Sequence, residues 1–99
     1  MPPVIRHLDP RELRVSTSRM SGADPLKLQR QIARFGRSSD GMPPIVVYEA
    51  LDGVLVIFNG VTRATRIAKL APGVLVPVEV IGTIRRRSAQ LPKIGDVLP

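Results

Sequence analysis

Five apolar residues, Val54-Leu55-Val56-Ile57-Phe58, stop at Asn59-Gly60, and Val61, Ala64, Ile67, Ala68 and Ala71 follow at helical spacing. This pattern ends a strand, turns sharply and opens a helix within two residues. The unbroken apolar run predicts a strand buried on both faces. Gly60 tolerates the backbone conformation that such a turn demands. Pro72-Gly73 closes the helix, which is expected near 60–71.

The rest of the chain supplies partners for this unit. Val4–Leu8 reads as a short first strand, followed by the Asp9-Pro10 turn and one helical turn through Glu12 and Leu13. The Ser-rich stretch from Val15 to Gly22 reads as a loop. A second helix is expected near 24–36, with Asp24 as N-cap, Pro25 in the first turn and Gly36 at the end. Leu28, Ile32 and Phe35 form its apolar stripe, while Lys27, Arg30, Arg34 and Arg37 lie outside it. Pro43-Pro44 delays the next strand to Ile45–Ala50, and Leu51-Asp52-Gly53 turns it back into Val54–Phe58. Leu75–Ile81 is the last strand, and Pro77 places it at a sheet edge, at least on one side. These elements define an α+β fold, a mixed α/β sheet domain over 1–81, and a C-terminal tail over 82–99 that Ile94, Val97 and Leu98 pin to it.

Composition narrows the function. At 99 residues the chain suits one small domain, burying roughly two thirds of its unfolded surface. Phe35, Tyr48 and Phe58 are its only aromatics, so the core is mainly Ile, Val and Leu. Absence of cysteine excludes disulfides, thiolate metal sites and cysteine nucleophiles. No apolar run approaches the roughly 20 residues that span a bilayer, and the N-terminus lacks a signal-peptide core, so a cytoplasmic protein is expected. The net charge of +7 favours polyanionic partners: nucleic acid, nucleotide or an acidic protein.

The candidate site is the strand-to-helix turn. A helix start presents unpaired backbone N–H groups and the positive end of the helix dipole, which favours an anion there. Asn59, Gly60, Thr62 and Arg63 form that turn, and Arg66 follows one helical turn later. Gly60 permits close approach, Thr62 offers a hydroxyl, and Arg63 offers a planar fork matched to phosphate. The segment is neither a Walker loop nor a dinucleotide fingerprint. A purely structural reading is also open: Asn59 as a cap, Gly60 as a turn and Arg63 as a solvated helix residue.

The run Val56-Ile57-Phe58-Asn59-Gly60-Val61-Thr62-Arg63-Ala64-Thr65-Arg66-Ile67-Ala68 resembles the ParB/sulfiredoxin-like superfamily, whose members share a strand, a Gly-x-x-Arg helix start, a helix and a strand. Leu75-Val76-Pro77-Val78-Glu79-Val80 looks like the closing strand of that family. Leu28–Phe35 and Pro44-Ile45-Val46-Val47 look like the helix and proline-led strand before the motif. The resemblance covers roughly residues 4–81. It implies a nucleotide phosphate held by the Gly60 backbone, Thr62 and Arg63, with CTP the ligand in ParB-type members and ATP in sulfiredoxins. The loop Ser16–Gly22, through Thr17 and Gly22, is similar in position to another phosphate-contacting segment of ParB members.

The departures from the family define the expected activity. Val61 stands where sulfiredoxins carry their catalytic cysteine, so sulfiredoxin chemistry, which needs a thiolate, is excluded. Asn59 replaces the Asp of nuclease-like relatives and cannot act as a carboxylate base. The helix-turn-helix region of chromosome-partition ParB proteins has no counterpart in the residues given. His7 is the only histidine, and the scattered carboxylates show no paired spacing for hydrolysis. No catalytic residue, metal ligand or required cofactor is therefore assigned. The expectation is a nucleotide- or nucleic-acid-binding module. The alternatives are a ParB-like nuclease or nucleotide hydrolase, and a protein-interaction module. Arg85, Arg86 and Arg87 are candidate nucleic-acid contacts.

Overall fold

The computed structural model describes residues 4–99; Met1 to Pro3, the start of the predicted 1–81 domain, lie outside the described residues. The fold is α+β: a four-stranded mixed sheet with two helices. The strands are β1 (Val4–Leu8), β2 (Ile45–Ala50), β3 (Leu55–Asn59) and β4 (Val76–Ile84), and the helices are α1 (Pro25–Phe35) and α2 (Val61–Leu70). The sheet order is β1-β4-β2-β3. β4 runs antiparallel to β1 and parallel to β2, and β2 pairs antiparallel with β3 through the Asp52-Gly53 hairpin.

The core lies between α2 and one face of the sheet. Ala64, Ile67 and Ala68 of α2 pack on Ile45 and Val47 of β2, Leu55 and Ile57 of β3, and Val76 and Val78 of β4. Small residues on α2 let the helix approach the sheet closely. α1 packs chiefly against α2. This explains a departure from the predicted stripe. Leu28 is buried, Ile32 is only partly covered, and Phe35 is 46% exposed. Instead of entering the core, the Phe35 ring carries the Arg34 and Arg66 guanidinium groups, each about 5 Å from its centroid.

Two further expectations are corrected. β4 is a central strand rather than an edge strand. It accommodates Pro77 because β2 begins only opposite Val78, and along antiparallel β1 only alternate residues face the partner with their N–H groups. The strand also runs three residues past the predicted Ile81, to Ile84. In β3, burial on both faces holds for Leu55, Val56 and Ile57 but not for Phe58, which is 66% exposed.

The tail explains that difference. Beyond β4 the chain returns beside the segment Leu13–Val15, which itself runs alongside β3. Arg14 N donates to Leu55 O and Ile57 N to Arg14 O; Val15 N donates to Pro92 O and Ile94 N to Leu13 O. Leu91 thereby covers Val56 and Ala50 on the outer face, and Ile94 is fully buried in the main core. The tail reaches Val56 but stops short of Phe58. Asp52 fastens it, accepting from Ser88 N at 2.9 Å and Ala89 N at 2.8 Å. Arg14 Nη1 adds a 2.8 Å bond to Leu91 O.

Candidate functional site

The turn between β3 and α2 is built on Gly60, the N-cap of α2, whose φ of 118° lies in the left-handed region. A Cβ there would stand 3.0 Å from Arg63 Nη2 and 3.2 Å from Ile45 Cγ2, so the position is closed to larger residues on both conformational and steric grounds. The first helical bond runs from Ala64 N to Gly60 O, leaving the amides of Val61, Thr62 and Arg63 without helical acceptors. No side chain caps this helix. Asn59 is exposed at the end of β3 and does not serve as the cap.

These amides open into a cleft of about 320 Å³ whose other walls come from α1 and the loop over 16–22. On the α1 side, Asp24 accepts from Leu26 N at 2.8 Å and Lys27 N at 3.2 Å. Those two amide bonds hold its carboxyl below the ordinary value. Lys27 and Gln31, four residues apart on one helix face, both line the cleft. On the loop side stand Ser16, Ser18, Arg19 and Gly22, with the two serine hydroxyls 2.9 Å apart. A Cβ on Gly22 would come within 2.9 Å of Val97 O, so the loop sits tightly on the tail. The cleft therefore gathers Arg19, Lys27 and Arg63 around uncapped amides, against one carboxylate that already caps α1.

Arg63 lies folded across the turn, with Nη2 donating to Pro44 O at 3.2 Å. Among the described residues its Nε is buried without an acceptor, and Gln31 Oε1 is buried without a donor. Burial lowers the Arg63 pKa, yet a guanidinium remains charged at neutral pH. Arg66, predicted to share this face, points elsewhere. It is 2% exposed, and its Nη1 donates to Gly36 O at 2.8 Å and Ser38 O at 2.7 Å. Its Nη1 pins the loop between α1 and β2, its Nε is buried without an acceptor among the described residues, and the side chain does not line the cleft.

The tail arginines also separate. Arg86 lines a second cleft beside Phe58, Arg85 lines a groove on the hairpin side with Glu49 and Thr83, and Arg87 is exposed. Sequence reasoning missed Arg19, Lys27 and Gln31 as cleft residues. Lys27 had a usable signal, since it lies off the apolar stripe of α1; the approach of α1 to the start of α2 is a tertiary fact. Loop 16–22, singled out through Thr17 and Gly22, does border the cleft, chiefly through Ser16, Ser18, Arg19 and Gly22.

The arrangement can bind an anion through backbone amides, a hydroxyl and cationic side chains. His7 sits on exposed β1 and does not line the cleft. Among the described residues, no three of the His, Asp and Glu side chains gather as a metal-ligand set. No helix among them is long and apolar enough to cross a membrane. The chain matches no family model and no curated protein.

Proposed function

We propose that this protein is a ParB/sulfiredoxin-like module of the cytoplasm that binds the phosphate of a nucleotide or nucleic acid at Gly60–Arg63, without catalysing its turnover. One observation carries the reading: the uncapped first turn of α2 faces a cleft holding Arg19, Lys27 and Arg63. Phosphate complements this site because free N–H groups and the helix dipole act together at short range. Arg63 adds a guanidinium whose position over the turn is fixed by Pro44 O. The family resemblance makes CTP and ATP the first ligands to test. Asn59 in place of a carboxylate, with no cysteine in the chain, favours binding over chemistry.

The test is an NMR titration with CTP, ATP, GTP and short duplex DNA. Shifts centred on Gly60 to Arg63, spreading to Lys27 and Arg19, are the expected result. Lys27→Ala and Arg19→Ala should each weaken binding about two- to fivefold, as solvent-facing charge pairs do, while leaving the unfolding midpoint unchanged. Binding by an Arg63→Ala protein as tight as the parent's would defeat the proposal, as would the absence of any shift with all four ligands.

A further inference from the structure

The phosphate cleft adjoins a second cleft of about 470 Å³, and the two share Ser16, Ser18, Ile57 and Phe58 as lining residues. Both volumes fall within the roughly 300–1,000 Å³ of small-molecule sites. The second cleft lies on the outer face of the sheet, where the tail stops short of Phe58. Phe58 is 66% exposed, and Tyr48 braces it edge-on, with centroids 5.6 Å apart at 78°. A phenyl ring held this way leaves a face open for stacking. The far wall is the turn over 86–91, fixed to the hairpin by Asp52 and by Leu51 N donating to Arg86 O. It brings Arg86, Gln90 and Ser88 to the cleft. Arg86 and Gln90 are exposed there, whereas Ser88 is only 1% exposed.

Building on the phosphate reading, we propose that the second cleft holds the base of one nucleotide, stacked on Phe58 and contacted by Gln90 and Arg86, with its phosphates at the start of α2. The chain's aromatics favour a single base over a strand. Of the three, Phe35 is occupied by two guanidinium groups away from both clefts, and Tyr48 serves Phe58 as an edge partner. One platform remains, whereas strand binders stack successive bases on several. A duplex keeps its bases paired and offers none to the ring.

The test compares tripolyphosphate, the four ribonucleoside triphosphates and a short single-stranded DNA by calorimetry, on the full chain and on Phe58→Ala, Phe58→Tyr and Gln90→Ala. At least one nucleotide should bind about tenfold more tightly than tripolyphosphate. That advantage, taken as each protein's nucleotide affinity over its own tripolyphosphate affinity, should vanish in Phe58→Ala, survive in Phe58→Tyr and shrink severalfold in Gln90→Ala. The three substitutions remove little folded-state contact, since Phe58 and Gln90 are exposed. Equal binding of tripolyphosphate and every nucleotide overturns the base site and leaves the phosphate site standing. Failure of tripolyphosphate and nucleotides alike overturns both. Tighter binding of the single strand than of any mononucleotide overturns the one-base assignment.

Discussion

Arg66 shows how one side chain can look functional in sequence and be structural in space. Its guanidinium is buried without a carboxylate, an arrangement that costs heavily unless hydrogen bonds replace the lost water. Here two carbonyls, the Met42 sulfur at 3.6 Å and the Phe35 face at 5.3 Å take that role. Burial still lowers its pKa, but the group stays charged across the neutral range. Arg66→Ala should destabilise the fold by about 3 kcal/mol, from unpaired carbonyls and a void where the stem packed. For a domain of this size that lowers Tm by roughly 12–24 °C. Arg66→Lys should recover only part of the loss, because an ammonium cannot span two carbonyls and stack on a ring. Thermal unfolding followed by circular dichroism measures both; an unchanged Tm in Arg66→Ala removes the anchoring role.

At the level of elements, the β2–β3 hairpin and the tail depend on each other through Asp52. Desolvation pushes the Asp52 pKa up, but the amides of Ser88 and Ala89, joined by those of Asp52 itself and Val54, together outweigh it, and the net shift is downward. A carboxyl with a depressed folded-state pKa favours the folded arrangement above its unfolded pKa and loses that contribution as pH falls through the folded one. Tail docking should therefore weaken below about pH 4, where an unperturbed Asp titrates. The Ser88 and Ala89 amide resonances should move together across that window. In Asp52→Asn the movement should disappear, and the two amides should exchange faster with solvent at neutral pH. Persistence of the transition in that variant would place its origin in another group. The same turn carries Arg86 and Gln90, so a loosened Asp52 also disturbs the proposed base site.

For the whole molecule, the tail belongs to the fold rather than trailing from it. Leu91 and Ile94 are buried, and their segment supplies backbone bonds to the ribbon over 13–15. Each buried aliphatic side chain contributes about 1.5–3 kcal/mol, against a total stability for small domains of about 5–15 kcal/mol. A chain ending at residue 84 should thus be largely unfolded, with poor amide dispersion and no cooperative thermal transition. A well-dispersed spectrum from residues 1–84 would show that the sheet and helices suffice alone.

Most of the secondary structure was legible in the sequence, because it rests on local chemistry. Asp24-Pro25 and Gly36 bound one helix, Asn59-Gly60 separates strand from helix, and Asp52-Gly53 closes the hairpin. Each acts within a few residues of itself. The turn at Gly60 was legible for the same reason: its φ and its open amides follow from the residues that form it. Which side chains surround that turn was settled only in three dimensions. Lys27 and Gln31 come from α1 and Arg19 from a loop, while the neighbouring cleft takes Ser88 and Arg86 from a tail that no local pattern ties to β3. Pro77 suggested an edge strand because a missing N–H is a local fact, while the staggered start of β2 that tolerates it is a property of register. Arg66 left the site because two carbonyls about thirty residues earlier in the chain accept its hydrogen bonds. Sequence alone located the strand-to-helix turn at Gly60; tertiary structure chose its companions, since distant residues meet only when the core between α2 and the sheet brings them together.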